Sequence, residues 1–173
     1  MTIRTILTEP NKILRQKSKT VDSVGAEEKK LMDDMLETMY NAKGIGLAAI
    51  QVGVPKRIIV MDISKEENKK KPLYFVNPII KNKNNEFSTY EEGCLSVPDQ
   101  FAEIDRPSSC VIEYLDYYGQ KKILNAEGLL ATCIQHEMDH LEGILFIDYL
   151  SKLKKSMIIK KLSKQKKIDR IVV

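Results

Sequence analysis

The sequence has no run of apolar residues long enough to span a membrane, since a transmembrane helix needs about 20 of them. Its first ten residues include Arg4 and Glu9 and hold no long apolar stretch, so we expect no secretory signal. The three cysteines are an odd number at irregular spacing, which argues against a disulfide framework and for a reducing compartment. We therefore expect a soluble, cytoplasmic protein that has no membrane partner.

Internal repeats and low-complexity linkers are also absent. Hydrophobic residues make up 43% of the 173 residues and charged residues 30%, a balance typical of a globular protein. This length is enough to bury a substantial core in one domain. We predict one domain over residues 1–150 and a basic helix or tail over residues 151–173.

The positive charge is concentrated in this tail. Residues 151–173 contain eight lysines and one arginine against a single acid, Asp169, although the net charge of the whole chain is only +4. Two interpretations stay open. The lysines form the solvated face of a helix, or they attract a polyanion such as RNA without reading its sequence.

The hydrophobic pattern predicts three helices and several short strands. Apolar residues at helical spacing predict one helix over Ala26–Asn41, a second over Glu127–Leu141 and a third in the tail. Runs rich in Ile, Val and Tyr predict strands, and the polar segment 81–86 predicts a turn. Because helices and strands do not alternate regularly, we expect an α+β fold with antiparallel sheet. The predicted strands are Arg57–Ile63, Leu73–Ile80 and Cys110–Leu115.

The two histidines of the sequence lie four residues apart in the second predicted helix. His136 and His140 therefore share one helix face, within roughly 60° of Leu129 and Cys133. Two buried imidazoles are costly unless their nitrogens have partners, and a divalent metal is a good one. His-Glu-x-x-His on a helix is a metal-binding pattern in which the glutamate, here Glu137, is the general base. Alternatively, the histidines are core residues hydrogen-bonded to the backbone.

A two-histidine site needs a third protein ligand, and no further histidine exists. Glu142 points to the opposite side of the helix. Cys94 is the better candidate, because Gly93 beside it allows close approach of the backbone. Cysteine can also be a small buried hydrophobic residue, which is our interpretation of Cys110. A set of one cysteine and two histidines leaves one position open, as in catalytic rather than structural metal sites.

The segment 44–51 contains Gly44 and Gly46 and ends in Gln51. The glycines indicate either a backbone that another group approaches closely or a helix end followed by a tight turn. The segment is not a phosphate-binding loop, because it lacks the lysine and the glycine spacing of such loops. Gln51 either directs its amide into a site or caps a strand.

Three motifs together resemble the peptide deformylase family. They are G-I-G-L-A-A-I-Q at 44–51, E-G-C-L-S at 92–96 and Q-H-E-M-D-H at 135–140, in the order of that family, and the resemblance covers most of the chain. It implies an α+β fold with antiparallel sheets packed around a central metal-binding helix, and a C-terminal helix. It also implies removal of the formyl group from the N-terminal formylmethionine of nascent polypeptides.

The resemblance implies specific roles for the residues of these motifs. Cys94, His136 and His140 bind the metal, and Glu137 is the acid–base residue. Gln51 and the backbone N–H of Leu95 stabilise the oxyanion. The ion is Fe(II), for which nickel, cobalt or zinc can substitute; the ligand types alone would indicate zinc.

The substrate-binding residues that we expect come from the glycine segment and the histidine helix. Ile45, Leu129 and Cys133 are candidates for the methionine pocket, and the backbone near Gly44 and Gly46 is expected to bind the peptide as an additional strand. Glu92 and Arg106 match charged positions of the family. Either they pair to hold the Cys94 segment, or they form a surface salt bridge of little consequence.

The expected partner is a formylated nascent peptide, bound by a monomer. The basic tail is a candidate ribosome contact, and no sequence-specific nucleic acid binding is expected. A bacterial protein fits these features, as does a mature organellar one. Two other functions stay open at this point. One is a metalloprotease with the same helix motif, and the other is an RNA- or ribosome-binding module with a structural metal site.

Overall fold

The computed structural model describes residues 2–64 and 69–171, and the side chains up to residue 165. Within these residues the chain forms three α-helices and seven β-strands. The helices are α1 (Ala26–Asn41), α2 (Gly128–Leu141) and α3 (Lys152–Ile171); the strands are β1 (Gly46–Ala48), β2 (Ile58–Met61), β3 (Leu73–Lys83), β4 (Phe87–Cys94), β5 (Val97–Pro107), β6 (Ser109–Leu115) and β7 (Lys121–Glu127).

The strands form two antiparallel sheets. Strands β1, β2, β3, β6 and β7 make a five-stranded sheet in the order β1-β2-β3-β6-β7, and β4 pairs with β5 in a separate two-stranded sheet. Every pairing is antiparallel. The predicted α+β fold with antiparallel sheets is therefore confirmed.

The five-stranded sheet is covered on both faces. Ile59 and Met61 of β2 pack in one hydrophobic cluster with residues of α2, while Ile58 and Val60 pack in a second cluster with α1. This alternation follows from the two-residue period of a strand. Both clusters contain fully buried residues, so α1 and α2 enclose the sheet between them. Helix α2 is also linked to β5, since Gln135 Nε2 donates to the Pro107 carbonyl at 3.0 Å.

Most predicted elements are present with small shifts at their ends. Helix α1 has the predicted bounds, and α2 begins one residue later than predicted, at Gly128. The turn predicted over 81–86 is partly wrong, because β3 continues through Lys83. The reason is pairing with β6, where Asn82 and Lys83 lie opposite Val111 and Cys110. A polar sequence thus remains in a strand when a neighbour supplies the hydrogen bonds.

The N-terminal segment is attached to α1 through the buried side chain of Asp34. Burial alone would raise the pKa of this carboxyl. Hydrogen bonds from the Thr2 N–H, Lys30 and Arg4 outweigh that effect and lower the pKa to about 2. The carboxylate therefore stays ionised at neutral pH and holds the first residues against the helix.

Helix α3 packs against the rest of the molecule through its apolar face. Ile158, Ile159 and buried Leu162 contact a cluster that includes Val97 and Phe146. The predicted tail helix is confirmed over Lys152–Ile171. Residues 172 and 173 of the predicted tail lie outside the described part of the chain. None of the helices in the described residues is both long and apolar enough to cross a bilayer.

Candidate metal centre

The three predicted metal ligands converge from two separate elements. Cys94 is the last residue of β4, and His136 and His140 face it from α2. One ligand atom from each residue lies within 4.8 Å of the others, and Cys94 Sγ is 3.3 Å from His140 Nε2. A tetrahedral ion with bonds of about 2.3 Å to sulfur and 2.0–2.1 Å to nitrogen places such atoms about 3.5 Å apart. The donor set therefore fits a divalent metal ion.

His136 is oriented by a buried carboxylate. Its Nδ1 lies 2.8 Å from Glu92 Oε2, which accepts the ring N–H and leaves Nε2 free to bind a metal. Arg106 donates to both oxygens of Glu92, from Nε at 2.5 Å and from Nη2 at 3.0 Å. The two side chains are only 4% and 6% exposed. The interpretation of Glu92 and Arg106 as a surface salt bridge is therefore wrong.

Two more residues complete this network, and the sequence analysis missed both. Asp139 accepts from Arg106 Nη1 at 2.8 Å, and the Tyr149 hydroxyl donates to the same carboxylate at 2.8 Å. The Arg106 guanidinium also lies over the Tyr149 ring, 5.0 Å from its centroid. No local sequence pattern marks Asp139 and Tyr149 as members of this network. Tyr149 follows α2 in the chain, and Arg106, which both residues contact, comes from β5 of the two-stranded sheet.

Two buried polar atoms of the His-Glu-x-x-His motif have no hydrogen-bond partner among the described residues. They are Nδ1 of His140 and Oε2 of Glu137. Burial raises the pKa of Glu137 to about 7. A carboxyl group with a pKa near neutrality can both take up and release a proton, as a general acid–base residue must.

Gln51 lies beside Cys94 with both ends of its amide held. Its Oε1 accepts from the Ala48 N–H at 2.8 Å, and its Nε2 donates to Ser96 Oγ at 3.0 Å. The same Nε2 lies 3.6 Å from Cys94 Sγ. Leu95, between Cys94 and Ser96, lines the same cavity as Gln51. These contacts fix the amide so that its N–H₂ group faces the metal-binding cluster.

A cavity of about 520 Å³ lies next to the candidate metal ligands. Its lining includes His136, Glu137, Cys94 and all of the predicted substrate-binding residues: Gly44, Ile45, Gly46, Leu129 and Cys133. Ile45 and Leu129 are partly exposed, at 44% and 38%, and stand at the solvent side of the cavity. The structure therefore brings the three sequence motifs to one place.

The close approach predicted from the glycines is present. A Cβ atom on Gly46 would lie 2.3 Å from Glu137 Oε1, and one on Gly44 would lie 2.7 Å from a methyl carbon of Leu95. Both distances are far shorter than real Cβ contacts. The absence of side chains at Gly46 and Gly44 thus leaves room for Glu137 and Leu95 beside the candidate metal ligands.

One part of the helix prediction is wrong. The helical periodicity of the sequence predicts a polar side of the histidine helix that includes Thr132, Gln135, Asp139 and Glu142, but Thr132 and Gln135 are buried, at 4% and 3% exposure. The reason is that α2 is covered on nearly all sides, by the five-stranded sheet on one side and by β5 on another. Thr132 also lines the cavity, although it was not among the pocket residues predicted from the sequence.

Comparison with known proteins agrees with this geometry. The model of the polypeptide deformylase family matches residues 3–156. The chain is 75% identical to a peptide deformylase of Pelagibacter ubique (strain HTCC1062) over 173 residues, which is 100% of both chains. The crystal structure of peptide deformylase from Ehrlichia chaffeensis superposes with a TM-score of 0.93 at 43% identity, over 97% of this chain and 99% of that one.

A second crystal structure of the Ehrlichia chaffeensis enzyme, in complex with actinonin, has a TM-score of 0.90 at 45% identity, over 95% of this chain and 98% of that one. The family model covers most of the sequence, and the identity extends along the whole chain. The chain belongs to the polypeptide deformylase family.

Proposed function

We propose that this chain hydrolyses the formyl amide of the N-terminal formylmethionine of nascent polypeptides and releases formate. One observation carries the proposal: a thiol and two imidazoles meet beside a buried carboxyl group, one oxygen of which has no hydrogen-bond partner among the described residues. Family membership supports it, as does the related structure in complex with actinonin. Together these features favour hydrolysis of an amide in a peptide-binding cavity.

Cys94, His136 and His140 would hold the catalytic ion, and we propose Fe(II), with nickel, cobalt or zinc as functional substitutes. When bound, such an ion polarises a carbonyl oxygen and lowers the pKa of a coordinated water. The Ser96 N–H lies 3.4 Å from Cys94 Sγ and stabilises negative charge on the sulfur. Glu92 keeps the His136 ring in the orientation that binds a metal.

Glu137 is the proposed acid–base residue. Its unpaired Oε2 accepts a proton from the attacking water, which then adds to the formyl carbon. The same oxygen returns the proton to the nitrogen of the departing amine, and formate is released. General acid–base catalysis of this kind contributes about 10²–10⁴-fold to a rate.

Gln51 and Leu95 are the proposed oxyanion donors. The Gln51 Nε2–H₂ group is held in place by the Ala48 N–H on the other side of the amide, so it is oriented before substrate binds. The backbone N–H of Leu95 is the second donor. Removing one such preoriented donor typically costs about 10²–10³ in kcat.

The first side chain of the substrate is proposed to enter the cavity between Ile45, Leu129 and Cys133. The following residues would bind along the segment from Gly44 to Gly46, where β1 begins. Strand β1 is at the edge of the five-stranded sheet, so its outer backbone groups can pair with an added strand.

Glu137→Gln tests the assigned chemistry. Anaerobically prepared protein is assayed for formate released from formyl-Met-Ala-Ser, and the metal content of the same sample is measured. We expect at least a hundredfold lower kcat with unchanged metal content. Near-normal kcat in the variant would refute the role of Glu137, and cleavage of an internal bond in an unformylated peptide by the wild type would identify a metalloprotease instead.

We further propose that the protein acts as a cytoplasmic monomer, and that α3 contacts ribosomal RNA through its exposed lysines. The exposure of Lys160, Lys161 and Lys164 supports this contact. Since α3 also packs on the core through Leu162, charge reversal is a better test than truncation. Changing the three lysines to glutamate should weaken ribosome binding and leave formate release intact, whereas the same change at Lys121 and Lys122 of β7 should weaken it less. Equal effects would refute the contact.

A further inference from the structure

Thr132 is a polar residue beside Leu129 and Cys133 in the wall that α2 contributes to the cavity. The residue lines the cavity with Leu129 and Cys133 and is 4% exposed. Its hydroxyl oxygen is buried and has no hydrogen-bond partner among the described residues. Leaving a buried hydroxyl without a partner is unfavourable, so this position needs an explanation.

The other buried threonine in a helix behaves differently. In α1, the Thr38 hydroxyl donates to the Asp34 carbonyl, one turn earlier, at 2.6 Å. This is the usual arrangement for a threonine inside a helix. The Thr132 hydroxyl makes no such bond to the carbonyl of Gly128. Helical backbone therefore does not satisfy this hydroxyl, although it is available at the same spacing.

The position of Thr132 relative to the metal ligands matters for what it can contact. Thr132 precedes His136 by four residues, which is slightly more than one helical turn and about 6 Å along the axis, on the same face. A long, unbranched side chain that leaves the substrate beside the reacting amide spans about this distance. In the proposed binding mode, the end of the first side chain of the substrate would reach Thr132.

Threonine can present either of two groups to such a ligand. In a helix its side chain divides between two rotamers, and rotation around Cα–Cβ exchanges the methyl and the hydroxyl. The methyl suits an apolar thioether, whose sulfur is only a weak acceptor. The hydroxyl gains its missing hydrogen bond only when the ligand carries a strong acceptor near its end. The sulfoxide oxygen of oxidised methionine is such an acceptor.

We propose that Thr132 lets this cavity accept formylated peptides whose first residue is methionine sulfoxide as well as methionine, through a hydrogen bond from the threonine hydroxyl to the sulfoxide oxygen. The inference rests on the proposed deformylase function and extends its substrate class. No covalent step is added, because the sulfoxide is bound and the formyl amide is hydrolysed as before. A sulfoxide is chiral at sulfur, so a hydroxyl in a fixed place should also favour one epimer.

Four peptides and two variants test this proposal. The value of kcat/KM for formate release is measured with formyl-Met-Ala-Ser, with each epimer of its methionine sulfoxide form, and with the norleucine form, which has no acceptor. The decisive quantity is the ratio of kcat/KM for the better sulfoxide epimer to kcat/KM for the norleucine peptide. Thr132→Val has nearly the same shape without the hydroxyl, and Thr132→Ser keeps the hydroxyl without the methyl.

We expect Thr132→Val to lower this ratio about three- to tenfold, the effect of one net hydrogen bond, and to reduce the preference between epimers. Thr132→Ser should keep both. A ratio that changes less than twofold in Thr132→Val overturns the proposal. So does a fall in Tm of more than about 4 °C in that variant, because it would mean that the hydroxyl has a stabilising partner inside the protein.

The two proposals fail in different ways. If the wild type releases no formate from formyl-Met-Ala-Ser, the proposed function is wrong. If it does release formate, but the sulfoxide ratio is independent of Thr132, only the inference about oxidised substrates is wrong.

Discussion

Replacing Arg106 should destabilise the protein far more than replacing a lysine that makes a surface ion pair. Arg106 donates to both oxygens of Glu92 and to Asp139, and it is 4% exposed. In Arg106→Met the Glu92 carboxylate stays buried, at 6% exposure, with only His136 beside it. An ionised group left in that position cannot recover its hydration. The loss therefore includes a desolvation penalty as well as the lost hydrogen bonds.

The expected size follows from the burial of the pair. Removing one partner of a buried ion pair costs about 3–5 kcal/mol, a large part of the roughly 5–15 kcal/mol that stabilises a typical domain. With a urea dependence of about 2 kcal/mol per molar, the unfolding midpoint should fall by about 1.5–2.5 M. Lys17→Met is the matched control, because Lys17 is 74% exposed and its partner Glu142 keeps a second cation, Arg57. It should cost less than about 1 kcal/mol.

Urea unfolding followed by circular dichroism measures both variants, and metal content is measured on the folded samples. Arg106→Met should also bind metal about 10–100-fold more weakly, because Glu92 loses the guanidinium that positions it and therefore orients the His136 ring less firmly. Arg106→Lys keeps the charge but not the two-pronged contact, so its loss should be smaller than that of the methionine variant. If Arg106→Met shifts the urea midpoint no more than Lys17→Met does, the structural role assigned to this network is wrong.

Three further predictions concern single positions. Gly46→Ala should lower kcat at least tenfold, because its Cβ would lie 2.3 Å from Glu137 Oε1; Gly25→Ala, whose Cβ meets nothing closer than 3.4 Å, should keep wild-type kcat. Cys94→Ser should lose metal on desalting, and unchanged stoichiometry would mean that another residue is the ligand. Asp34→Asn should lose about 1.5–3 kcal/mol of stability at pH 7, measured by urea unfolding. The pKa of Asp34 in the folded protein, about 2, is below its value in the unfolded chain. The contribution of Asp34 to the free energy of unfolding is therefore complete above about pH 4 and disappears as the pH falls through 2. An Asp34→Asn variant whose stability falls with pH as steeply as that of the wild type would contradict this.

The two histidines of the candidate metal site could be singled out from the sequence because their pattern is local. His136 and His140 are one turn apart on one helix, which needs no knowledge of tertiary structure. Cys94 was selected by elimination, since the composition offered no third histidine. The bounds of β3 could not be predicted in the same way, because the hydrogen bonds that extend it come from β6, and strand pairing depends on residues distant in sequence.

The faces of α2 show most clearly where sequence reasoning fails and what the failure reveals. A pattern that separates apolar from polar positions assumes that a helix has a solvent face, and α2 has almost none. Its polar residues must therefore find partners inside: Gln135 donates to the Pro107 carbonyl, and Asp139 accepts from Arg106. Among these three positions Thr132 is the exception, since its hydroxyl pairs with no described residue while it borders the cavity. Because the fold satisfies the polar side chains of Gln135 and Asp139, the unpaired hydroxyl of Thr132 beside the cavity is best explained by a ligand.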